Sequence, residues 1–247
     1  MTKPTEAASP VSNVRDRIIV ALDVEKADEA REIARQLRGR VGAFKIGLQL
    51  FTAAGPGFVR EMTESGARIF LDLKFHDIPN TVAKASVEAA RFGVWMFNIH
   101  TLGGVEMMKR TVSEVREVCE REKIERPLII GVTVLTSSNA GTLTEVGIAN
   151  DVEKQVVLLA RLAVGCGLDG VVASPHEART VRKEIANSDF LLVTPGIRPN
   201  LATLDDQKRV TTLGQALAHG SDYVVIGRPI TTAKDRIEAV ERIVAEV

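Results

Sequence analysis

The segment RIIVALD (17–23), followed by KADEAREIARQLRG (26–39), contains the pattern from which the fold can be predicted. The first run is short, apolar and rich in Ile and Val, which is typical of a strand buried on both faces. The second run has apolar residues at helical spacing and ends at Gly39, where a glycine commonly terminates a helix. A strand followed directly by an amphipathic helix is one β/α unit.

This unit recurs along the rest of the 247-residue chain. Helical patterns separate the runs, and in VEKQVVLLARLAVG (152–165) we expect Gly165 to be the C-terminal glycine. Eight such units predict a closed (β/α)8 TIM barrel. An open doubly wound sheet is the alternative, but no G-x-G-x-x-G motif follows the first run. The further strand-like runs are GAFKIG (42–47), RIFLDLK (68–74), VWMFNIH (94–100), PLIIGVTVL (127–135), DGVVAS (169–174), FLLVTPG (190–196) and DYVVIGR (222–228).

The chain is expected to form one domain after a short tail. Residues 1–16 are small, polar and contain proline, so we expect a flexible N-terminal tail, with residues 17–247 forming the barrel. The N-terminal residues have no apolar stretch of signal-peptide length, and no segment approaches the ~20 apolar residues of a membrane helix. These features predict a cytoplasmic protein that does not associate with membranes.

The composition excludes several other classes of function. Lys and Arg total 32 and Asp and Glu total 32, so there is no excess of positive charge for binding a nucleic acid. Two cysteines, Cys119 and Cys166, are too few for a disulfide framework or a thiolate metal site. Function must therefore depend on local arrangements of charge.

Ionisable side chains stand at or just beyond the carboxyl ends of the first three predicted strands, where (β/α)8 barrels carry their reactive groups. Side chains alternate along a strand, so Asp72 and Lys74 are expected to share one face while Leu71 and Leu73 share the other. A structural ion-pair cluster is the alternative, but a barrel that needed only stability would have apolar residues here. We therefore predict an active site built from Asp23, Lys45, Asp72, Lys74 and Asp77.

The last two predicted strands end in sequences that suit a phosphate group. TPGIRP (194–199) and IGRPI (226–230) follow the seventh and eighth strands, whose loops often bind phosphate in such barrels. Gly227 allows close approach of the backbone, and Arg228 supplies a planar charged fork. Arg198 begins a loop, running to about Gln207, that is long enough to fold over a ligand.

Other polar residues carry weaker signals. In LTSS (135–138), the Thr136 hydroxyl could hydrogen-bond a polar ring. His100 ends the fourth strand and could either reach the mouth or pack, whereas His76 is expected to pack. Two further histidines, His176 and His219, lie in helical patterns without a visible partner.

Together these motifs resemble the orotidine 5′-phosphate decarboxylase family, in its bacterial form, from about residue 17 to 247. The most specific motif is DLKFHDIPNT (72–81), in which D-x-K-x-x-D is followed by IPNT. The other matching elements are Asp23, FKIG (44–47), LTS (135–137), TPGIRP, Gln207 and IGRPI. The resemblance implies a TIM barrel that converts orotidine 5′-monophosphate to UMP and CO2 in de novo pyrimidine biosynthesis, without a metal or organic cofactor.

The resemblance also implies catalytic roles for individual residues. Lys74 would protonate C6 of the pyrimidine, and Asp72 would lie against the departing carboxylate. Lys45 and Asp77 would complete an alternating network of charges. A homodimer is implied, because three residues would reach the active site of the neighbouring subunit: Asp77, Ile78 and Thr81.

The same resemblance implies how the nucleotide would be bound. Asp23 and Lys45 would contact the ribose hydroxyls, and Thr136 would contact the pyrimidine edge. Gln207 would bridge the base and the phosphate. The phosphate region would be held by Arg198, Gly227 and Arg228.

Three other functions are weighed against this one. Related Mg²⁺-dependent sugar-phosphate enzymes have an acidic residue where this chain has Lys45, and a protonated lysine would repel the ion. A Schiff base on Lys45 or Lys74 is disfavoured, because flanking carboxylates keep an amine protonated. A non-catalytic sensor of phosphate ligands is the third alternative, although every expected polar group is present.

Overall fold

The computed structural model describes residues 13–198 and 211–247. Eight parallel strands form a closed barrel in sequence order, with β1 paired to both β2 and β8, so the predicted TIM barrel is confirmed. Seven of the strands fall within the predicted apolar runs, and the third ends one residue beyond its run, at Phe75. The strands are β1 (Ile18–Ala21), β2 (Ala43–Gly47), β3 (Ile69–Phe75), β4 (Met96–His100), β5 (Leu128–Val132), β6 (Gly170–Val172), β7 (Leu191–Pro195) and β8 (Tyr223–Ile226).

Helices follow the strands and cover the outside of the barrel. Short 3₁₀ helices span Val14–Arg17 and Thr101–Gly103. The α-helices of the described residues are α1 (Ala27–Leu37), α2 (Leu48–Glu64), α3 (Pro79–Arg91), α4 (Gly104–Glu122), α5 (Ala140–Glu145), α6 (Val152–Gly165), α7 (Ala178–Glu184), α8 (Leu213–Ala218), α9 (Arg228–Thr231) and α10 (Arg236–Val244). Within these ranges, no helix is long and apolar enough to cross a membrane.

Two apolar layers stabilise the barrel, and they determine which side chains face its interior. Phe70 belongs to a cluster of residues inside the barrel, whereas Leu71 packs in the larger layer between strands and helices. Leu73 also packs against the outer layer, so the expected alternation along β3 is confirmed for the two leucines. Each fully buried large apolar side chain contributes about 1.5–3 kcal/mol. The edge-to-face contact of Trp95 with Tyr223, with ring centroids 5.1 Å apart, lies near the amino-terminal ends of the strands.

The helix ends differ in one respect from the prediction. Gly39 follows α1 with a left-handed φ of 72°, as expected of a C-terminal glycine. The expectation for Gly165 was wrong, because this residue is the last one within α6. Cys166 keeps a right-handed conformation and bonds back to the preceding turn, so the left-handed position, with φ of 81°, falls on Gly167.

The chain contacts the barrel before the first strand begins. Asn13 caps the first 3₁₀ helix, and Arg15 forms a bidentate pair with Glu241 of α10, with one Nη–Oε distance of 2.8 Å. We expected the tail to extend to residue 16, and its residues 1–12 lie outside the described part of the chain.

Candidate active site

Four of the five ionisable residues expected at the strand ends come together at the carboxyl end of the barrel. They stand on or just beyond three neighbouring strands, because β2 pairs with β1 on one side and with β3 on the other. Lys45 is in register with Ala21 of β1, and Asp72 is in register with Gly47 of β2. We call this group the mouth cluster: Asp23, Lys45, Asp72 and Lys74.

Acids and bases alternate within the mouth cluster. Lys45 Nζ lies 2.9 Å from Asp23 Oδ1 and 3.3 Å from Asp72 Oδ2. Lys74 Nζ lies 2.6 Å from Asp72 Oδ1. The inner two side chains are mostly buried, at 9% exposed for Lys45 and 13% for Asp72, whereas Asp23 is 58% and Lys74 37% exposed. The outer members can therefore contact a ligand while the inner pair holds them in place.

The buried carboxylate of the mouth cluster stays ionised. Burial by itself would raise the pKa of Asp72. The charges of Lys45 and Lys74 oppose this effect, together with hydrogen bonds from Lys74 and Asn98. Together, these charges and hydrogen bonds lower the pKa of Asp72 by more than burial raises it, so this pKa lies below its usual value. Asp72 is thus a fixed negative charge beside an accessible ammonium group.

Lys74 has an unusual backbone conformation. Its φ of 53° lies in the left-handed region, which costs a residue other than glycine roughly 1–2 kcal/mol. The regular pairing of β3 with β4 is interrupted at this point, because Leu71 is in register with Phe97 and Phe75 with Ile99. Such irregularities re-aim side chains next to active sites. The lysine therefore reaches Asp72 through a distorted strand end rather than through simple alternation.

Sequence reasoning missed one residue of the site, Asn98 on β4. Its side chain donates a hydrogen bond from Nδ2 to Asp72 Oδ1, at 2.7 Å, and its Oδ1 accepts one from the backbone N–H of Lys74, at 2.8 Å. Asn98 is only 1% exposed. The available signal was a single amide in the apolar run VWMFNIH, since buried polar side chains need partners.

Asp77 and its neighbours lie apart from the mouth cluster. The Asp77 carboxylate accepts a hydrogen bond from the backbone N–H of Ile78 and forms no ion pair within the described residues. Ile78 precedes α3 and is 65% exposed, and Thr81 in the first turn of α3 is also exposed. Within one chain these residues form a separate surface next to the mouth.

Of the residues expected to bind phosphate, Gly227 and Arg228 follow β8, which is the neighbour of β1 on the side away from β2 and β3. A Cβ atom at Gly227 would stand 3.6 Å from Ala21 Cβ and 4.0 Å from Asp23 Oδ2, so this glycine adjoins the mouth cluster. Arg228 begins α9, which has a proline in its first turn, and is exposed. Neither Arg228 nor the partly buried Arg198 has a carboxylate partner among the residues that the structure describes. Gln207 lies outside the described residues.

Two further expected residues stand at the same end of the barrel. Thr136 is exposed in the turn that follows β5. His100 at the end of β4 packs against His76, with ring centroids 5.3 Å apart. Burial, followed by the neighbouring His76 and Lys74, lowers the pKa of His100 to about 4. His100 is therefore neutral at pH 7, and its Nδ1 is buried without a hydrogen-bond partner in the described part of the chain.

The remaining histidines and cysteines lie away from the mouth. His176 is exposed in the turn before α7, and His219 caps the end of α8, so neither lies within a helix as the pattern had suggested. Burial raises the pKa of both thiols, at Cys119 and Cys166, which keeps them unreactive. Across residues 13–198 and 211–247, no three His, Cys, Asp or Glu side chains form a group that could hold a metal ion.

Comparisons with known proteins agree with this architecture. The orotidine 5′-phosphate decarboxylases of Syntrophotalea carbinolica and Geobacter sulfurreducens are each 53% identical to the chain over 94% of its length, covering 95% and 96% of those proteins. The crystal structure of orotidine 5′-phosphate decarboxylase from Lactobacillus acidophilus is 36% identical, with a TM-score of 0.81, over 93% of this chain and 97% of that one. Residues 16–243 match the orotidine 5′-phosphate decarboxylase / HUMPS family. The chain belongs to this family.

Proposed function

We propose that this protein decarboxylates orotidine 5′-monophosphate to UMP and CO2, with Lys74 as the proton donor and without a metal or organic cofactor. The observation that carries the proposal is the accessible ammonium of Lys74, held 2.6 Å from the buried carboxylate of Asp72. The names of the relatives indicate the substrate. The reaction is a step of de novo pyrimidine biosynthesis, and the cytoplasmic location stays a prediction.

The chemistry requires a cation where Lys74 lies. When the bond from C6 to the carboxyl carbon breaks, its electron pair stays on C6 and CO2 departs. A positioned ammonium stabilises this developing charge and then transfers a proton to C6. Lys74 afterwards recovers a proton from solvent, which its partial exposure allows.

Asp72 has a complementary role in this proposal. Its lowered pKa keeps it ionised, so it opposes the negative charge of a substrate carboxylate placed beside it. The repulsion disappears when that carboxylate becomes neutral CO2, which favours the forward step. Because the same carboxylate accepts a hydrogen bond from Lys74, it also orients the proton donor.

The position of Lys45 favours the metal-free reaction over the Mg²⁺-dependent chemistry of sugar-phosphate enzymes. Its ammonium lies between two carboxylates, 2.9 Å from Asp23 and 3.3 Å from Asp72. Mg²⁺ needs such oxygen atoms as ligands. Here the ammonium group of Lys45 already occupies the position between the carboxylate oxygens of Asp23 and Asp72 that Mg²⁺ would need.

The nucleotide would extend from the mouth cluster toward α9. Asp23 is the exposed end of the cluster and adjoins Gly227, which suits a ribose between the base and the phosphate. We assign the ribose hydroxyls to Asp23 and Lys45 and the pyrimidine edge to Thr136. The phosphate would be bound by Arg198, Gly227 and Arg228, and Gln207 would bridge the base and the phosphate.

We also propose a homodimer in which Asp77, Ile78 and Thr81 complete the active site of the partner. Exposure of a large apolar side chain such as Ile78 supports a covered surface here. Leu102 and Val105, on either side of the start of α4, are exposed as well, and α3 packs against α4. Asp77 would then join the alternating charges beside the partner's Lys74.

The test is turnover of orotidine 5′-monophosphate by chelator-treated protein, followed as loss of ultraviolet absorbance. We expect metal-independent conversion to UMP, which is lost in Lys74→Ala and kept in Lys183→Ala, a change of an exposed lysine on α7. Folded protein that releases no CO2 would contradict the proposal and direct the search to Mg²⁺-dependent sugar phosphates. Activity that survives in Lys74→Ala would contradict the assignment of the proton donor.

A further inference from the structure

A mismatch between β3 and β4 lies opposite Asn98. Leu71 pairs with Phe97 and Phe75 with Ile99, so three residues of β3 stand against the single residue Asn98 of β4. Those three residues include Asp72 and Lys74. The regular ladder of backbone hydrogen bonds is therefore interrupted where the charged side chains are needed.

The side-chain amide of Asn98 supplies the hydrogen bonds at this interruption. Its Oδ1 accepts from the backbone N–H of Lys74, and its Nδ2 donates to the carboxylate of Asp72. An amide has one oxygen and one NH₂ group, so only this orientation satisfies both neighbours. One buried group thus holds the left-handed peptide of Lys74 and one oxygen of Asp72 at the same time.

We propose that Asn98 is a positioning residue that fixes Lys74 and Asp72 as one unit. It acts through those two residues, because it is almost fully buried and its amide groups are used in these two hydrogen bonds. Backbone strain persists only where the surroundings determine it, and Asn98 is the neighbour that bonds the strained peptide. The kinetic part of this inference rests on the proposed function, whereas its structural part does not.

Two substitutions separate the two hydrogen bonds. Asn98→Leu has a similar size and removes both, so we expect the φ of Lys74 to return to an extended value and the contact between Lys74 Nζ and Asp72 to open. Asn98→Asp keeps an acceptor for the Lys74 N–H but directs a second carboxylate oxygen at Asp72. In that variant we expect the φ of Lys74 to stay left-handed while the Asp72 carboxylate moves away.

Thr101→Val is the matched control. Thr101 lies just beyond the same strand, is equally buried, and donates one hydrogen bond to the carbonyl oxygen of Val132. Its methyl group faces Leu168 and Ala163 near Gly131, on the helix side of the sheet. The control therefore removes a buried hydrogen bond of the same strand without touching the mouth cluster.

The experiment combines crystal structures of the variants with steady-state kinetics on orotidine 5′-monophosphate. We expect kcat to fall on the order of 10²-fold in both Asn98 variants with KM changed only a few-fold, because misplacement by about 1 Å has effects of that size. Thr101→Val should keep kcat within a few-fold. If Asn98→Leu does not fold, the nearly isosteric Asn98→Asp still tests the hydrogen bond to Asp72, through the position of that carboxylate in the crystal structure and through kcat.

Some results would overturn the inference. In Asn98→Leu, an unchanged φ of Lys74 together with an unchanged distance from Lys74 Nζ to Asp72 would contradict it. In Asn98→Asp, an Asp72 carboxylate that stays in its wild-type position would contradict it as well. Another such result is a kcat no lower than that of Thr101→Val. A wild-type protein that fails to turn over orotidine 5′-monophosphate would contradict the proposed function instead, and the variant structures would still decide the role of Asn98.

Discussion

Lys45 and Asp72 form an ion pair across neighbouring strands, with Nζ 3.3 Å from Oδ2 and both side chains largely removed from solvent. Burying two charges is costly, and replacement of such a pair by apolar residues is often neutral or stabilising. The pair is therefore poorly explained by stability. Its value lies in holding the exposed members of the mouth cluster, Asp23 and Lys74, at fixed positions.

The cost of burying this pair leads to a prediction about stability. Lys45→Met should lower the free energy of unfolding by about 1–3 kcal/mol, less than the ~3–5 kcal/mol typical of a broken buried pair, because Lys74 still faces Asp72. The double variant Lys45→Met/Asp72→Asn removes both charges and keeps a side-chain oxygen for the buried amide of Asn98, so it should be at least as stable as Lys45→Met while remaining inactive. Urea denaturation measures both values. A double variant less stable than Lys45→Met would show that the pair itself stabilises the barrel.

A second prediction concerns stability in mild acid. His100 has its pKa lowered from 6.5 to about 4 in the folded protein, mainly by burial. Between these two values the unfolded chain binds more protons than the folded one, so the free energy of unfolding falls as the pH falls. This contribution is complete above pH 6.5 and is lost progressively toward pH 4.

Replacement of the imidazole should remove that dependence. We expect the slope of unfolding free energy against pH, between pH 4 and 6.5, to be smaller in His100→Gln than in the wild type. His176→Gln, which changes an exposed histidine in a turn, should keep the wild-type slope. Equal slopes in wild type and His100→Gln would mean that His100 titrates normally.

The sequence was sufficient to predict the barrel and all four members of the mouth cluster, for a physical reason. Each strand is a short apolar run that ends where polar residues begin, so the carboxyl ends could be located without knowing how the strands pair. Asp23 needed only that rule, whereas Lys45 and Asp72 were recognised as charged residues inside otherwise apolar runs. The leucines on either side of Asp72 further indicated which face of β3 is polar.

The features that escaped prediction depend on pairing between strands. The role of Asn98 follows from the irregular register of β3 with β4, which changes the neighbours of Asn98 without leaving a pattern in either strand. The left-handed conformation of Lys74 has the same origin. The left-handed glycine after α6 is Gly167 rather than Gly165, because Cys166 still keeps a helical conformation, and periodicity alone locates a helix end only approximately.

A third prediction tests the phosphate subsite. Arg228→Ala should raise KM and also lower kcat, each by about 10-fold or more, because binding energy from a remote phosphate can organise the charged groups around the base. Arg179→Ala, which changes an exposed arginine on α7, should alter neither constant. Steady-state kinetics on orotidine 5′-monophosphate measures both KM and kcat for each variant. A raised KM with an unchanged kcat would mean that the phosphate contributes only uniform binding.

The last prediction tests whether active sites are shared between subunits. Lys74→Ala and Asp77→Asn should each be inactive alone, since in the proposed dimer one lacks the proton donor and the other lacks the charge given to the partner. In randomly mixed dimers, half of the molecules carry one chain of each kind, and one of their two sites combines an intact Lys74 with an intact Asp77. Unfolding and refolding the two chains together should therefore restore about a quarter of the wild-type activity per site. Lys74→Ala refolded with itself is the control. If each chain built its whole site, the mixture would remain as inactive as the separate variants, and Asp77 would act within its own subunit.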